Sequence, residues 1–384
     1  MRLKNLTYAQ YEGKPEQWRL RDFRPGQMNL LVGVNATGKS RTLSVISGLG
    51  KLLSGQLKLS FVSGHYTITF DNEGSSITYT LHYEDSKVLD ESYAVDGHVR
   101  LERSRGGFGR IWAQQQDDYI RFQTPPNELA IVARQDSVQH PFFRPLHQWA
   151  KALYHYRFGT PLGQDKLAIF TKKPALEPDP RDADLVVAIV RKGLRRYGKK
   201  FREAVIDGMH TIHFPIDDFG VAQPGSIRIP DTALGAVQCI YVKESTLKGL
   251  TDQAAMSQGM FRSLAIVILV TYAFLSAQPS CLLIDDLGEG LDYARSCALI
   301  ALLRKKVSSS SVQLIATTND CFVMNAVPLE EWSLLRRKGG DSIVYNSTNS
   351  KERFDAFKFT GLNNFDFLAT EFVGSRRKHR DKQG

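Results

Sequence analysis

Residues 28–40 read MNLLVGVNATGKS: an apolar run, Met28-Asn29-Leu30-Leu31-Val32, and then Gly33 to Ser40 as an unbroken G-x-x-x-x-G-K-[ST]. A buried strand that delivers such a loop, with Thr42-Leu43-Ser44-Val45-Ile46 continuing as a helix, is the arrangement of a phosphate-binding P-loop. Backbone N–H groups of the loop and of the helix N-terminus converge on an anion. The pattern predicts that Lys39 reaches the β- and γ-phosphates of a nucleoside triphosphate and that the Ser40 hydroxyl holds Mg²⁺. Gly33 and Gly38 are expected because a side chain there would block the turn or the approach of phosphate. Thr37 and Arg41 complete the expected nucleotide contacts. An ordinary Gly-rich turn would not come with strand, helix and GKS ending together.

The 384 residues have room for one large domain or two smaller ones with a sizeable core. Apolar content of 42% and charged content of 23% are ordinary for a globular chain. The N-terminal MRLKNLTYAQ lacks a signal-peptide core, so a cytosolic location is expected. The longest apolar run, Leu264 to Ala277, is short for a membrane span and carries Thr271 and Ser276, which predicts a buried helix and no membrane partner. Four cysteines show no CxxC pairing, and Cys281 and Cys321 border apolar stretches, as core thiols in a reducing compartment do. The net charge of +10 is the one departure, and it favours an acidic partner. Much of it lies in Arg191 to Arg202 and in the tail Arg376 to Arg380.

Residues 1–50 read as three strands, the P-loop and a helix. From 57 to 125 the pattern is β-rich: His65–Phe70, Ser76–Tyr83 and Tyr119–Phe122 alternate at period two, with Asp71-Asn72-Glu73-Gly74 as a hairpin turn. From 126 to 235 mostly helical patterning is expected, including Pro145–Leu153 and Ala183–Tyr197, with Lys172–Pro180 as a Pro-rich connector. After 236 the chain turns α/β again: strand Val237–Val242, a helix from about 256 to 277, strand Cys281–Ile284, helix Tyr293–Val307 and strand Val312–Ala316. No repeat and no useful heptad run is visible. One nucleotide-binding domain spanning 1–384, interrupted by a β-plus-helical insertion, is the expected organisation.

Cys281-Leu282-Leu283-Ile284-Asp285-Asp286 is a hydrophobic strand ending in acid. Such a strand is expected beside the P-loop strand, with Asp285 holding Mg²⁺ through water and Asp286 polarising the attacking water. Upstream, Met256-Ser257-Gln258-Gly259-Met260-Phe261-Arg262 leads into an apolar helix and offers N–H groups and a hydroxyl to an anion. The His210-x-x-His213 pair near Asp217-Asp218 reads as a strand edge rather than a metal site. The run Arg191, Lys192, Arg195, Arg196, Lys199, Lys200, Arg202 contains Tyr197 and Phe201, can place Arg191, Arg195 and Arg202 near one helical face, and is a candidate nucleic-acid surface; a solvated helix face is the competing reading.

With these motifs in order, the chain resembles the ABC-type ATPases, in the soluble branch that includes SMC-like, RecF-like and OLD-like proteins. The resemblance covers about the first 50 and last 150 residues. GVNATGKS matches the Walker A, with Asn35 similar to the Asn common in that branch. MSQG looks like the signature motif, LLIDD like the Walker B, and Gly290-Leu291-Asp292 like the D-loop. Thr317-Thr318-Asn319-Asp320 falls where the switch histidine usually lies, and Trp149 with Tyr154–Phe158 is similar to a segment of predicted ATPases of this type. The resemblance implies an α/β P-loop NTPase fold with a β-rich lobe and a helical insertion between Walker A and signature. It also implies ATP and Mg²⁺ as cofactors and a homodimer with ATP sandwiched between the P-loop of one subunit and Ser257, Gln258, Gly259 and Asp292 of the other. The Q-loop glutamine is expected at Gln123, with Gln135 as alternative. Two departures stand out. Asp286 occupies the place of the usual Glu, and Asn319 that of the His; Asn can hydrogen-bond a γ-phosphate but cannot titrate. Glu289 is a further carboxylate candidate. Slow hydrolysis is expected.

The functional expectation is an ATPase that dimerises around ATP and regulates a separate effector protein, in the setting of the anti-phage defence systems to which many relatives belong. A RecF-like DNA-maintenance ATPase and a non-hydrolytic, ATP-locked scaffold stand as alternatives, and a transporter motor subunit as the weakest. About 64 residues follow Asp320, which is short for the nuclease domain appended in OLD-type proteins.

Overall fold

The computed structural model describes residues 1–59, 62–170, 177–227, 236–276 and 279–370. The tail Arg376–Arg380 and most of the Pro-rich connector lie outside the described residues. Strands β1 (Arg2–Gln10), β2 (Trp18–Phe23) and β3 (Met28–Val32) lead into helix α1 (Lys39–Leu53). β3 is buried on both faces: Leu30 and Val32 enter one core and Leu31 the other. That two-sided burial is why its sequence is continuously apolar rather than alternating.

Next comes a meander of six antiparallel strands: β4 (Ser63–Asn72), β5 (Ser75–Glu84), β6 (Lys87–Val95), β7 (His98–Arg103), β8 (Phe108–Ala113) and β9 (Asp118–Gln123). The first three connections are two-residue turns, Glu73-Gly74, Asp85-Ser86 and Asp96-Gly97. All six turn residues have positive φ, between 46° and 95°, the twist that matches the flanking strands. One face of the meander buries Tyr79, Leu81, Tyr93, Leu101 and Ile111. Within that face Glu91 and Arg103 form a fully enclosed ion pair at 3.7 Å. Glu91 also accepts from Tyr79 Oη and from the backbone N–H groups of Ala130 and Ile131, so it anchors the start of α2 (Ala130–Ala133) to the lobe.

Within 126–235, expected as mostly helical, the described residues form three strands besides their helices. α3 (Arg144–Lys151) leads directly into β10 (Leu153–Arg157), then β11 (Ala168–Phe170), α4 (Val186–Thr211) and β12 (Ile216–Ala222). The local pattern carries the helix through Leu153. The structure places that residue in β10 instead, because the run Leu153-Tyr154-His155-Tyr156 pairs in parallel with the strand Cys281–Asp285. α4 is sharply kinked at Gly198 (φ 52°, ψ −126°). The kink breaks the single helical face expected for Arg191, Arg195 and Arg202, and it brings the Phe201 ring against Gly193, where a Cβ would stand 2.5 Å from it. Much of the basic run is occupied within the chain. Lys192 pairs with Glu177, Lys199 with Glu203, and Arg202 with Asp218, while the Arg196 guanidinium lies over Tyr197.

The remainder is β13 (Ala236–Glu244), β14 (Thr251–Asp252), α5 (Gln258–Ser276), β15 (Cys281–Asp285), α6 (Tyr293–Ser308), β16 (Gln313–Thr317), α7 (Cys321–Ala326), β17 (Trp332–Lys338), β18 (Asp341–Asn346), α8 (Lys351–Lys358) and α9 (Asn364–Ala369). α5 is, among the described residues, long and apolar enough by length and composition to cross a membrane, yet most of it is buried within the protein. Cys281 is a core thiol as expected; Cys321, at the start of α7, is only half-buried.

Fourteen strands form one sheet in the order β10-β15-β16-β3-β17-β18-β2-β1-β4-β5-β6-β7-β8-β9. The first five run parallel, so their C-terminal ends meet at one edge, where ligands bind in such sheets. β11, β12, β13 and β14 make a second, smaller sheet. Because Glu91 is enclosed with Arg103, truncating it strands a buried guanidinium. Glu91→Ala should lower unfolding free energy by about 3–5 kcal/mol, read by chemical denaturation; a change below about 1 kcal/mol would show that the pair is not enclosed in solution.

Candidate functional site

The loop after β3 is pressed from outside. A Cβ at Gly33 would lie 2.6 Å from the Leu335 carbonyl of β17 and 2.8 Å from Thr37 Oγ1. Gly38 has φ 104°, and a Cβ there would lie 2.9 Å from Ser342 Oγ. Ser342 Oγ donates to the Thr37 carbonyl (2.6 Å) and accepts from Trp18 Nε1 (2.9 Å). This relay from β2 through β18 fixes the far side of the loop. Inside it, Thr37 Oγ1 donates to the Val34 carbonyl, and Lys39 Nζ folds under the loop to donate to the Gly33 carbonyl at 2.7 Å. Burial lowers the Lys39 pKa, while the carboxylates of Asp286 and Asp285 oppose that shift.

A cavity of about 380 Å³ gathers Asn35, Gly38, Lys39, Ser40 and Arg41 of the loop with Asp286 and Asn319 from the far strands. Two liners had no signal in the sequence, Trp18 and Arg337. The Arg41 guanidinium stacks 4.2 Å above the Trp18 ring and donates to Gln10 Oε1.

The strand ending in acid, β15, does not lie beside β3 as expected. β16 stands between them, and its last residue makes the connection. Thr317 Oγ1 donates to Asp285 Oδ1 at 2.5 Å and accepts from the Asp286 N–H at 2.9 Å. One hydroxyl thus orients both acids, and Thr318 Oγ1 holds the next turn through the Leu287 carbonyl. Asp285 is buried. Asp286 has φ 53°, a left-handed conformation costly for a non-glycine residue. Its carboxylate accepts from Asn319 Nδ2 at 3.3 Å. Burial raises the Asp286 pKa, with Asp285 and Glu289 adding to the rise and Lys39 opposing it. On the other side the turn after β10 brings Gly159 so close that a Cβ would sit 3.0 Å from Asp286 Cβ.

Ser257, Gln258 and Gly259 start α5, and Ser257 Oγ accepts from the Met260 N–H. Gly259 lies against the segment 290–292, with a Cβ 3.0 Å from the Gly290 carbonyl. Asp292 caps α6 through the Arg295 N–H. Arg262, which closes the stretch Met256–Arg262 and to which the sequence pattern assigns no role, bonds to the carbonyls of Gly159, Thr160 and Glu289 and so ties the α5 start to both neighbouring loops. Ser257, Gln258 and Asp292 are exposed, and none of them lines the P-loop cavity. Gln123 is not brought to the site either. It closes β9, at the opposite end of the sheet's meander from β3, and its carbonyl accepts from Arg134. Gln135 lines a different cavity, beside His140 and Arg144.

No family model matches this sequence, and no curated protein matches it. Among solved structures, an SMC head bound to the C-winged helix domain of ScpA is 14% identical and superposes with a TM-score of 0.53, over 92% of this chain and 99% of that chain. The fold is that of an SMC head domain. Two further SMC heads match less well. That of Thermotoga maritima is 13% identical with a TM-score of 0.47, over 90% of this chain and 99% of its own. One derived from Pyrococcus furiosus, with an extended coiled coil and bound to the C-terminal domain of ScpA, is 11% identical with a TM-score of 0.49, over 93% and 99%.

His155 on β10, two residues before the pairing of Arg157 with Asp285, has an enclosed Nε2 with no hydrogen-bond partner among the described residues. Burial pushes its pKa down to about 4, below the ordinary value near 6.5. A folded-state pKa below the unfolded one gives stability that is present above about pH 6.5 and lost as pH falls towards 4. His155→Leu should therefore remove on the order of 2–3 kcal/mol from the fall in stability over that window, measured by denaturation at stepped pH. Identical pH slopes for wild type and variant would rule this out.

Proposed function

We propose that the chain is an ABC-type ATPase that closes into a dimer around Mg²⁺-ATP and controls a separate effector protein, in the cytosol and in the setting of anti-phage defence. The observation that carries this reading is a division of parts. Lys39, Ser40, Asp286 and Asn319 line one cavity, whereas Ser257, Gln258 and Asp292 are exposed outside it. A site with triphosphate contacts on one surface and anion-binding groups on another is completed by a second copy. The fold shared with an SMC head supports the same reading.

In this mechanism Lys39 leaves the Gly33 carbonyl for the phosphates, exchanging a neutral acceptor for charged ones. Among the described residues no cluster of three metal-ligating side chains is present. The exposed Ser40 hydroxyl and the Asp285 carboxylate, oriented by Thr317, fit a hard cation that keeps waters and phosphate oxygens as its other ligands. Mg²⁺ there would neutralise charge developing between the β- and γ-phosphates. Asp286, with its pKa raised and one oxygen held by Asn319, polarises the attacking water. An Asp is one methylene shorter than the Glu usual at this place, and Asn319 carries no charge, so turnover is slow. At its limit this becomes an ATP-locked scaffold, the reading that Asn319 favours.

Lys39→Ala should weaken ATP binding about tenfold or more in equilibrium dialysis, with the protein remaining folded; unchanged binding would end the nucleotide reading. Ser257→Arg should bind ATP as the wild type does yet fail to associate with ATP in sedimentation velocity. If that variant dimerises normally with ATP, the shared site is wrong even where nucleotide binding stands.

A further inference from the structure

The outward faces of the meander strands change character along the sheet. On β4, β5 and β6 the positions opposed across the ladders are Thr67, Thr80 and Ser92, an ordinary solvated polar face. On β7, β8 and β9 the same face carries arginines and aromatic rings. Phe108 opposes Gln123, Arg110 opposes Arg121, and Trp112 opposes Tyr119, so all six project to one side. Glu102 and Arg100 of β7 join them. The outward positions of these three strands hold three arginines and a single carboxylate, Glu102, which is paired with Arg110 at 2.6 Å.

Trp112 and Tyr119 pack edge to face with centroids 5.2 Å apart, and Tyr119 Oη donates to the Val99 carbonyl, so Phe108 is the ring presented to solvent. Phe108 is 61% exposed on an otherwise well-formed strand. Arg100 lies over the Trp112 ring at 5.1 Å and Arg110 over the Tyr119 ring at 4.8 Å, so two guanidinium groups are held against aromatic faces on the outer side of the sheet. Around Phe108 the surface is concave, with about 670 Å³ lined by Thr80, Asp90, Ser92, Glu102, Arg110 and Arg121. Opposite faces of the same strands bury Leu101, Ile111 and Phe122, which fixes the platform to the core.

We propose that this face of β7–β9 binds single-stranded nucleic acid. Arginines along the strands track phosphates, and the exposed Phe108 ring offers a stacking surface to an unpaired base. A duplex keeps its base faces to itself and could use only the charge, so single strands are the better fit. The basic run on α4 is the competing surface. Its Lys192, Lys199 and Arg202 are neutralised by acids of this chain, as Arg110 is by Glu102, so what favours β7–β9 is the exposed Phe108 ring beside Arg121, which has no acidic partner among the described residues. The platform is remote from the P-loop in the sheet and stands whether or not ATP is hydrolysed.

Fluorescence anisotropy of a labelled oligothymidylate with the full chain, at low and moderate salt, tests this. Phe108→Ala should weaken binding roughly tenfold with little change in the salt slope. Arg110→Ala with Arg121→Ala should weaken it and flatten the dependence on log salt by about 0.7 for each phosphate that is no longer neutralised. Arg195→Ala with Lys200→Ala, which removes two α4 cations that pair with no acid among the described residues, should leave it within about twofold of wild type, because α4 packs against α5 and β12 rather than beside β7–β9. The side chains changed on β8 and β9 are on the outer face, and unchanged thermal melts confirm that the variants fold. Absence of binding by wild type at low salt, tighter binding of the matching duplex, wild-type affinity in both β-face variants, or an equal loss from the α4 variant would each overturn the proposal.

Discussion

The candidate site depends on how closely β17 and β18 press against the loop that follows β3. The Leu335 carbonyl and the Ser342 hydroxyl leave no space for a side chain at Gly33 or Gly38. The loop backbone is therefore held by neighbours on its outer side, and its inner side is left to meet a ligand. Trp18 extends this constraint to a third strand, since its indole N–H fixes the same Ser342 hydroxyl that holds Thr37. Strands from both ends of the chain thus set one turn of backbone.

A second constraint, subordinate to the first, lies in Thr317. Its single hydroxyl both donates to Asp285 and accepts from the Asp286 N–H. The strand β16, standing between the P-loop strand and the acidic strand, is the means by which the two acids are aimed. Gly159 completes the enclosure from the turn after β10, and the left-handed Asp286 sits where these elements meet. Non-glycine residues in such conformations persist where the surroundings over-determine them.

Features legible in the sequence are those written in local pattern. The P-loop with its strand and helix, the strand Cys281–Asp285, the helix from Tyr293 and the Glu73-Gly74 hairpin all follow from runs of adjacent residues. Features that are not legible depend on partners far along the chain. β10 follows α3 with no breaker between them, and only its pairing with β15 makes Leu153 a strand residue. The sequence pattern assigns no role to Trp18, Arg262 or Arg337; each acts through contacts with segments distant in sequence. A strand end alone suggests Gln123 for the nucleotide, and the length of the meander carries it away. The expected helical face on α4 fails at one residue, Gly198, whose kink resets the phase of every side chain after it.

The order of the strands also bears on how the chain is built. The meander β4–β9 is made entirely of pairings between neighbours in sequence, which close cheaply and early. β3, by contrast, lies between β16 and β17, whose residues come about 280 positions later or more. During synthesis from the N-terminus the P-loop emerges first, beside a lobe that can already pair with itself, and it remains without its flanking strands until nearly the whole chain has been made. The closed form of the P-loop is thus the last feature the folding chain acquires, and a truncated product ends with a formed lobe and an open loop.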